Sequence, residues 1–345
     1  MAVAGCGTHA CRLVDSSGAT LTEAEILTEV EWTRALDDYS TARVLLTPTG
    51  NCCERIADVR AWRTWLHIYR DGTPVWQGPM LQPEWRGEDV ELTAVDILAL
   101  LDRRVPHQSM TFGDSDLMDI ATWLIEDAFA PDDPGHRLEV LGPSGVRGGR
   151  AYVKDIGQTG DHLRELAETG LDYTAVGSRI ILLPETHRQS VGRLSDADLP
   201  DGLVVAEDGA AVATRVIVAG DDEGNVLGEA GGTDPYLPLL ERYVEQTSIK
   251  TDAAAADAAR ALLRSSYPTP VFINTEEVTL SPDAAVEVPL LVPGWCLDVT
   301  SSATCRAVAQ RFKITGVKVT EDGGTESSPG GESVQVQVAA TGAEA

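Results

Sequence analysis

The sequence predicts a β-rich α+β fold in which β structure precedes and follows a mixed α+β segment. Short alternating or apolar runs separated by turn residues dominate residues 1–108 and 194–345, and such strands are typical of small barrels and sandwiches. Between them, residues 109–193 contain two stretches with the apolar period of a helix. The chain has 345 residues, 43% of them hydrophobic, which is enough for about two or three domains with their own cores.

The first β region is predicted from its turns. Asp71-Gly72 separates two aromatic-rich runs, and Asp-Gly is the favoured two-residue hairpin turn because both central residues need positive φ. A second hairpin turn is expected at 85–88, and Asp96 is expected to cap a short helix that runs through Leu101. The predicted strands are 29–32, 43–46, 65–70, 74–80 and 90–94.

The middle region is predicted to contain two helices and a hairpin. Apolar residues recur at helical spacing over 114–129, and the segment 130–135, which holds two prolines and a glycine, ends that helix. A second helix is expected over 160–168 with Gly170 as its C-terminal cap. A hairpin that turns at Gly177-Ser178 should follow.

The last region is predicted to return to strands, with one Ala-rich helix. The helix is expected over 251–265, capped by Thr251 and ending before Pro268 and Pro270. The predicted strands are 202–206, 213–219, 272–280, 286–292, 295–299, 311–320 and 333–339.

The charge excludes one large class of function. Lys and Arg total 27 against 54 Asp and Glu, so the formal net charge is −27. Binding to phosphate depends on clustered Lys and Arg, and sequence-specific nucleic-acid recognition is therefore not expected. Repulsion of phosphate nevertheless suits a protein past which DNA must slide without being held. No apolar stretch approaches the roughly 20 residues of a membrane-spanning helix, and no secretion signal is visible, so we expect a soluble chain without a membrane anchor that is made in the cytoplasm.

No catalytic residue and no cofactor is predicted. The sequence contains no nucleophile elbow, P-loop, dinucleotide fingerprint or His-Glu-x-x-His motif. Adjacent carboxylates occur repeatedly, but with 54 acidic residues such pairs need no catalytic explanation. These pairs are Asp37-Asp38, Asp132-Asp133, Asp221-Asp222 and Glu276-Glu277.

The six cysteines leave three alternatives open. Cys6, His9 and Cys11 lie close together in sequence, and Cys52-Cys53 approaches them if the N-terminal strand packs beside that loop. Thiolates and imidazole at short spacing can bind zinc, but this spacing is not that of a standard zinc site. Buried free thiols are favoured over a disulfide within this group, and a metal is the weakest alternative.

A second pair of cysteines lies in the C-terminal region. Cys296 and Cys305 flank a short connection, so they are expected to face each other across a hairpin, where a disulfide is an open alternative. A bridge there would be unusual in a reducing cytoplasm, but it is compatible with a virion or a secreted protein.

Five of the seven tryptophans fall in the first β region. At strand spacing, with Leu and Ile between them, they are predicted to belong to the core and to interfaces rather than to a sugar-binding face. These residues are Trp32, Trp62, Trp65, Trp76 and Trp85.

Several short segments, in this order, resemble the tail-hub proteins of long-tailed actinobacteriophages, which are usually called minor tail proteins. The N-terminal segments are CGTH (6–9), WTRALDD (32–38), CC (52–53) and WR (62–63). The segments similar to the first-barrel hairpin of that family are HIYRDG (67–72) and VWQGP (75–79). The region 163–183 is similar to their middle domain, and the segments similar to their closing barrel are LVPGW (291–295) and FKITGV (312–317).

The resemblance implies two tube-like β-barrel domains, 1–108 and 194–345, with a small α+β domain, 109–193, between them. It implies a structural, non-enzymatic homotrimer whose ring extends the tail tube, adapts sixfold to threefold symmetry and lets DNA pass. The implied partners are the distal tail protein ring above, the tape-measure protein within and tip or fibre proteins below, and the implied location is the tail tip of the virion.

A hub-like first barrel also implies that Cys6 lies near Cys52 or Cys53, where a disulfide with one of them is an open alternative. Two other functions remain as alternatives. One is a carbohydrate- or receptor-binding tail-tip module that uses the Trp-rich first region, and the other is a cell-wall hydrolase.

Overall fold

The computed structural model describes residues 5–15, 18–24, 28–48, 51–200, 202, 205–207, 209–220, 225–267, 271–273, 278–303, 305, 308–323 and 330–340. The first region forms seven strands and one short helix. In chain order these are β1 (His9–Val14), β2 (Thr20–Ala24), β3 (Glu29–Ala35), β4 (Thr41–Leu46), α1 (Asn51–Ile56), β5 (Trp65–Arg70), β6 (Thr73–Arg86) and β7 (Asp89–Val95). A 3-10 helix, Ile97–Arg103, follows and is capped by Asp96, whose side chain accepts a hydrogen bond from Leu98 N as predicted.

The middle region contains both predicted helices and more strand structure than expected. Its elements are β8 (Met110–Asp116), α2 (Leu117–Phe129), β9 (Arg137–Val140), β10 (Arg147–Tyr152), α3 (Thr159–Ala167), β11 (Leu171–Val176) and β12 (Arg179–Pro184). Helix α2 begins at Leu117 rather than at 114 because Asp116 is extended and its carboxylate accepts a hydrogen bond from Met118 N.

The last region is mostly strand with one long helix. Its elements are β13 (Ser190–Ser195), β14 (Val205–Glu207), β15 (Arg215–Ala219), β16 (Leu227–Gly231), β17 (Glu241–Glu245), α4 (Asp252–Ser266), β18 (Val271–Ile273), β19 (Val278–Thr279), β20 (Cys296–Ser301), β21 (Val308–Asp322) and β22 (Gly331–Ala340). Two 3-10 turns, Asp196–Asp198 and Val288–Leu290, complete it. Thr251 caps α4 as predicted, since its Oγ1 accepts a hydrogen bond from Ala254 N. None of the described helices is long and apolar enough to span a membrane.

The chain is therefore β-rich α+β, as predicted. The predicted hairpin turn at Asp71-Gly72 is present, with φ values of 50° and 77° at its two central residues. The two separate barrels are not seen: the described strands close into no barrel, and one 14-stranded sheet contains strands of both β regions. The domain boundaries at 108/109 and 193/194 stay predictions.

Strand β21 joins the two β regions. Its residues 316–322 pair antiparallel with β3, while its other edge pairs with β22 and its first half also pairs with β20. The main path of the sheet runs β14-β18-β22-β21-β3-β4-β7-β6-β5-β1-β2. One hydrophobic core follows this path and includes Trp32 and Leu92 from the first region and Phe312 and Val334 from the last. The long-range pairing makes a single packed body of the two β regions.

The middle region has its own core. Ile120 and Leu124 of α2 and Leu163 of α3 pack with Tyr173 and Leu182 of the β11–β12 hairpin. Strand β9 pairs parallel with β12, so the sheet order is β11-β12-β9, while β8 and β10 form a separate pair.

A small unit within residues 209–267 has a core of its own. Strands β16, β15 and β17 form a sheet in that order, and α4 packs on it through Ala255, Ala258 and Leu262. Helix and sheet approach closely at Gly228 of β16, where a Cβ atom would lie 2.0 Å from Ala256 N. Only glycine allows this distance.

We expect Gly228→Ala to lower the free energy of unfolding by about 1–3 kcal/mol, because the added methyl group forces α4 away from the sheet. Chemical denaturation of the full chain measures the change. The matched control is Gly113→Ala in β8, where no atom lies within 4 Å of the added Cβ. Equal effects of the two substitutions would contradict the close helix–sheet approach.

Candidate functional site

A buried ion pair fastens the N-terminal segment to the last strand. Arg70 at the end of β5 binds Glu332 of β22 in a bidentate manner, with Nε–Oε1 and Nη2–Oε2 distances of 2.6 and 2.7 Å. The backbone N–H groups of Gly5 and Gly7 donate to the same carboxylate, each at 2.9 Å. The Arg70 and Glu332 side chains are 1% and 0% exposed. Burial alone would raise the pKa of Glu332, but the hydrogen bonds from Arg70 and Gly7 outweigh it and hold that pKa below its usual value.

His9 extends this network toward the core. Its Nδ1 lies 2.6 Å from Glu321 Oε2 of β21, and the indole N–H of Trp32 donates to its Nε2 at 3.0 Å. Because Nε2 accepts a hydrogen bond, the ring proton is on Nδ1 and is donated to Glu321. Both nitrogens of this residue, which the sequence marked as a weak metal candidate, therefore take part in hydrogen bonds that link β1, β3 and β21.

The cysteines are placed as follows. Cys6 is exposed and Cys11 is buried in β1. Cys296 is buried and Cys305 is exposed. The side chains of Cys52 and Cys53 lie outside the described residues, so the pairing of either with Cys6 stays a prediction, as does a bridge between Cys296 and Cys305. Within the described parts of the chain, no group of three or more His, Cys, Asp and Glu side chains is arranged to hold a metal ion.

A second polar cluster, the three-part junction, lies where all three regions meet. It consists of Asp37 in the β3–β4 connection, Asp172 and Tyr173 of β11, Glu185 after β12 and Lys313 of β21. Lys313 Nζ donates to Asp172 Oδ2 at 2.5 Å and to the carbonyl oxygen of Glu185 at 2.6 Å. The Lys313 ammonium group, which belongs to the last region, thus binds the middle region directly.

Asp37 connects the first region to the three-part junction through hydrogen bonds with Tyr173. Its backbone N–H donates to Tyr173 O and its Oδ1 accepts from Tyr173 N, both at 2.8 Å. The Tyr173 hydroxyl donates to Asp37 O at 2.5 Å. Asp37 has a left-handed φ of 60°, a conformation that few residues other than Gly, Asn and Asp adopt readily. Three hydrogen bonds to one residue hold this turn against β11.

The three-part junction carries more acid than base. Burial, and next the charge of Asp172, raise the pKa of Asp37 well above its usual value. Burial likewise raises the pKa of Glu185, although Lys313 opposes the shift. A carboxyl group whose pKa is raised in the folded chain binds its proton more tightly there than in the unfolded chain. Its contribution to stability is therefore greatest at acidic pH and is lost as pH rises through the folded-state pKa.

We expect Asp37→Asn to raise the free energy of unfolding at neutral pH and to flatten its dependence on pH, because a neutral amide replaces a buried carboxylate. Asparagine tolerates the left-handed φ, and its Oδ1 can accept the same hydrogen bond from Tyr173 N. Denaturation series between pH 4 and pH 8, compared with wild type, measure both effects. Asp38→Asn is the control, since the Asp38 side chain is 57% exposed. A destabilised Asp37→Asn variant at neutral pH would contradict the expectation.

Arg34 makes a third link between the first and last regions. Its guanidinium donates to the carbonyl oxygens of Leu291 at 2.7 Å, Val75 at 2.8 Å and Pro289 at 3.0 Å. Burial lowers the pKa of Arg34 to about 10. Arg34 holds the 289–291 turn beside the β5–β6 hairpin.

The five N-terminal tryptophans divide into two groups. Trp32 and Trp76 are buried in the core, and Trp65 packs against the core of the middle region. Trp62 and Trp85 are 38% and 49% exposed. Two of the five thus lie in a core, a third packs against one, and the remaining two are surface residues.

The adjacent carboxylates do not form a common site among the described residues. Asp37 belongs to the three-part junction, and Asp133 accepts hydrogen bonds from the backbone of Gly135 and from His136. Asp221-Asp222 and Glu276-Glu277 lie outside the described residues. The buried polar groups of Arg34, Arg70 and Lys313 bind parts of the chain that are far apart in sequence.

Comparison with known proteins adds structural neighbours only. No protein-family model matches the sequence, and no curated protein matches it. The fold is similar to that of the tail protein from Neisseria meningitidis MC58, with a TM-score of 0.65, 12% identity and 96% of each chain covered. It is similar to the prophage tail protein gp18 from Listeria monocytogenes EGD-e, with a TM-score of 0.60, 11% identity and 94% of each chain covered.

A third neighbour comes from a secretion system. It is the c3393 protein of E. coli, a component of the type VI secretion system that exhibits structural similarity to the T4 bacteriophage tail proteins gp27 and gp5. The TM-score is 0.52 at 11% identity, and the match covers 93% of this chain and 76% of that one. At these identities the comparisons establish that the chain has the fold of phage tail proteins.

Proposed function

We propose that this chain is a structural tail-hub protein of a phage virion, of the kind also called a minor tail protein. In this proposal three copies form a ring that extends the tail tube, adapts sixfold to threefold symmetry and lets DNA pass during ejection. The observation that carries the proposal is the fold match over 94–96% of both chains with two tail proteins.

The proposed ring has pseudo-sixfold symmetry. Each chain would contribute its two β regions, 1–108 and 194–345, which are joined through the pairing of β3 with β21. Three copies would then present six similar units to a sixfold tube, which is the adaptation that the proposal requires. The α+β region 109–193 would lie at the side of the two units.

Rigidity is the second support. The Arg70–Glu332 pair, the three-part junction and Arg34 each bind parts of the chain that are far apart in sequence. A ring that transmits force between the tail tube and the tip has to keep the two β units in a constant relation. Buried polar links of defined geometry serve that purpose better than apolar contacts alone.

The charge of −27 fits a passage for DNA. Like-charge surfaces release no counterions on contact with DNA, so phosphates would not adhere to them. In the proposal much of the excess acid faces the lumen or solvent, and the contacts between copies are apolar or locally paired. The partners would be the distal tail protein ring above, the tape-measure protein within and tip or fibre proteins below.

A reconstruction of the assembled tail tip tests this proposal. The expected result is three copies of the chain on the tail axis around a lumen that is lined mainly by carboxylates. A position away from the axis, or a lumen lined mainly by Arg and Lys, would overturn it.

An activity assay tests the non-enzymatic part. Purified chain is expected to release no soluble fragments from peptidoglycan. Release that a single acidic substitution abolishes, in a variant that still folds, would favour a cell-wall hydrolase instead.

The thiols are tested separately. We infer from the resemblance to hub proteins that Cys6 lies near Cys52 or Cys53, and peptide mapping without reduction would detect a bridge between them or between Cys296 and Cys305. Metal analysis after dialysis is expected to find no stoichiometric zinc.

A further inference from the structure

Trp62 occupies an unusual backbone conformation at the surface. Its φ is 61°, in the left-handed region that bulky residues rarely adopt, and 38% of its side chain is exposed. Backbone hydrogen bonds hold the loop in place: Trp62 N donates to Met80 O at 2.7 Å, and Met80 N donates to Thr64 O at 2.8 Å. Strain of this kind persists only where the surroundings enforce it, and it is concentrated at functional sites. The fold therefore holds the backbone of Trp62 in a strained conformation, with its indole ring at the surface, at a cost in stability.

The neighbours of Trp62 resemble the centre of a protein interface. The guanidinium carbon of Arg103 lies 5.7 Å from the centroid of the indole ring. Leu81 is 36% exposed and follows Met80, whose backbone carbonyl accepts the hydrogen bond from Trp62 N. Arg63, which follows Trp62 in sequence, is also exposed. We name these four residues, Trp62, Arg63, Leu81 and Arg103, the Trp62 patch. Trp and Arg are the residue types most enriched among interface residues whose loss weakens binding strongly.

The charge of the Trp62 patch selects its partner. Two arginines beside an exposed aromatic ring favour a surface that carries both carboxylates and apolar side chains. With a net charge of −27, a second copy of this chain is itself strongly acidic. A cationic patch on such a chain reduces the repulsion that otherwise opposes contact between copies.

The structure contains a surface with the matching properties. Around β17, Tyr236, Leu239 and Tyr243 are 92%, 49% and 59% exposed, and Glu241 and Glu245 are exposed among them. We name these five residues the β17 surface. Within the described part of the chain, β17 pairs only with β15, so its outer edge is available to a neighbour.

We propose that the Trp62 patch of one copy binds the β17 surface of a second copy of this chain. The contact joins two different surfaces head to tail, and contacts of this type generate closed rings where the rotation between copies allows it. The proposal rests on the ring of the proposed function and adds to it the residues that make the contact.

The decisive variant is Trp62→Gly. Glycine adopts a φ of 61° without strain, so this substitution removes the indole ring and leaves the loop intact or more stable. We expect self-association of the full chain, followed by sedimentation over a concentration series, to weaken about tenfold or more. Trp85→Ala is the matched control, because Trp85 is 49% exposed and lies farther along β6. It should associate like wild type.

A charge exchange tests the partner surface. Arg63→Glu with Arg103→Glu in one chain, and Glu241→Arg with Glu245→Arg in another, should each weaken self-association. A mixture of the two variant chains should regain association in mixed pairs, because one of the two mixed contacts is charge-reversed and the other is that of wild type, whereas a closed ring of three retains one contact between like charges. Failure of the mixture to associate would overturn the assignment of the β17 surface.

Two further outcomes would overturn the inference. They are a wild-type chain that stays monomeric throughout the series and a Trp62→Gly chain that associates like wild type. If the latter chain also no longer binds cell-wall oligosaccharides, the Trp62 patch is assigned to sugar binding instead. The proposed function is judged independently, by the position of the chain in the tail tip, so the two can fail separately.

Discussion

Replacing Arg70 by methionine is expected to lower the free energy of unfolding by about 3–5 kcal/mol, the cost of leaving one partner of a buried ion pair uncompensated. The Glu332 carboxylate would keep its two backbone donors, Gly5 and Gly7, but would lose both hydrogen bonds from the guanidinium. Chemical denaturation of the full chain at neutral pH measures the loss. Proteolysis near the N-terminus should also become faster, because this pair fastens residues 5–7 to β22.

The dependence on pH follows from the lowered pKa of Glu332. A carboxyl group whose pKa is depressed in the folded chain contributes stability above its unfolded-state pKa and loses it as pH falls through the folded-state pKa. Wild type should therefore lose this contribution on acidification below the ordinary range of glutamate. The Arg70→Met variant has already lost it and should show a shallower decline.

Two further variants separate the ion pair from general damage. Arg86→Met removes an arginine that is 63% exposed and paired with Glu84, and it should change stability little. Arg70→Met combined with Glu332→Leu removes both charges and should recover part of the loss, though not all, because the two backbone N–H groups then have no acceptor. An Arg70→Met chain as stable as wild type would contradict the buried pair.

Much of the local structure follows from short sequence patterns. The hairpin turn at Asp71-Gly72, the cap at Asp96 and the helix that Thr251 caps form where they were predicted, because each depends on residues that are adjacent in sequence. Helix α2 begins at Leu117 and not at 114 as the sequence predicts, because the acidic residues before it are compatible with either a first helical turn or a strand. Asp116 decides between them by capping the helix from an extended conformation.

Long-range pairing was not predictable from these patterns. The alternation in β3 and β21 predicts two strands with a buried face, but it carries no information on which strand pairs with which. The single sheet and the core that both β regions share depend on the pairing of 29–35 with 316–322. Two regions that appeared separate in sequence thereby form one body.

The sequence contains a signal for the buried arginines of the polar links, but not for their partners. In β3, Arg34 follows Val30 and Trp32 at two-residue spacing, and in β5, Arg70 follows Leu66 and Ile68 in the same way. An arginine on the buried face of an alternating strand requires an acceptor inside the protein. That signal identifies the buried arginines, but the identity of the acceptors, such as Glu332, comes only from the fold.

The second large effect is expected at the three-part junction. Replacing Lys313 by methionine should lower the free energy of unfolding at neutral pH by about 3 kcal/mol, because it removes the cation bound to buried Asp172. The Lys313 and Asp172 side chains are 11% and 6% exposed, so solvent cannot replace the lost ammonium effectively. Chemical denaturation measures this change as well.

The change with pH distinguishes this effect from a simple packing defect. Without Lys313, the junction holds Asp37, Asp172 and Glu185, and the first and last of these already have raised pKa values in the wild type. Because the folded chain binds these protons more tightly than the unfolded chain, the deficit of Lys313→Met should shrink as pH falls from neutral toward the ordinary range of carboxyl groups. Lys318→Met, on the same strand, removes a cation that lies 3.4 Å from Glu31 and is 32% exposed, and it should cost less than about 1 kcal/mol. A deficit that stays constant between neutral and acidic pH would mean that the Lys313 side chain stabilises the junction through packing and not through its charge.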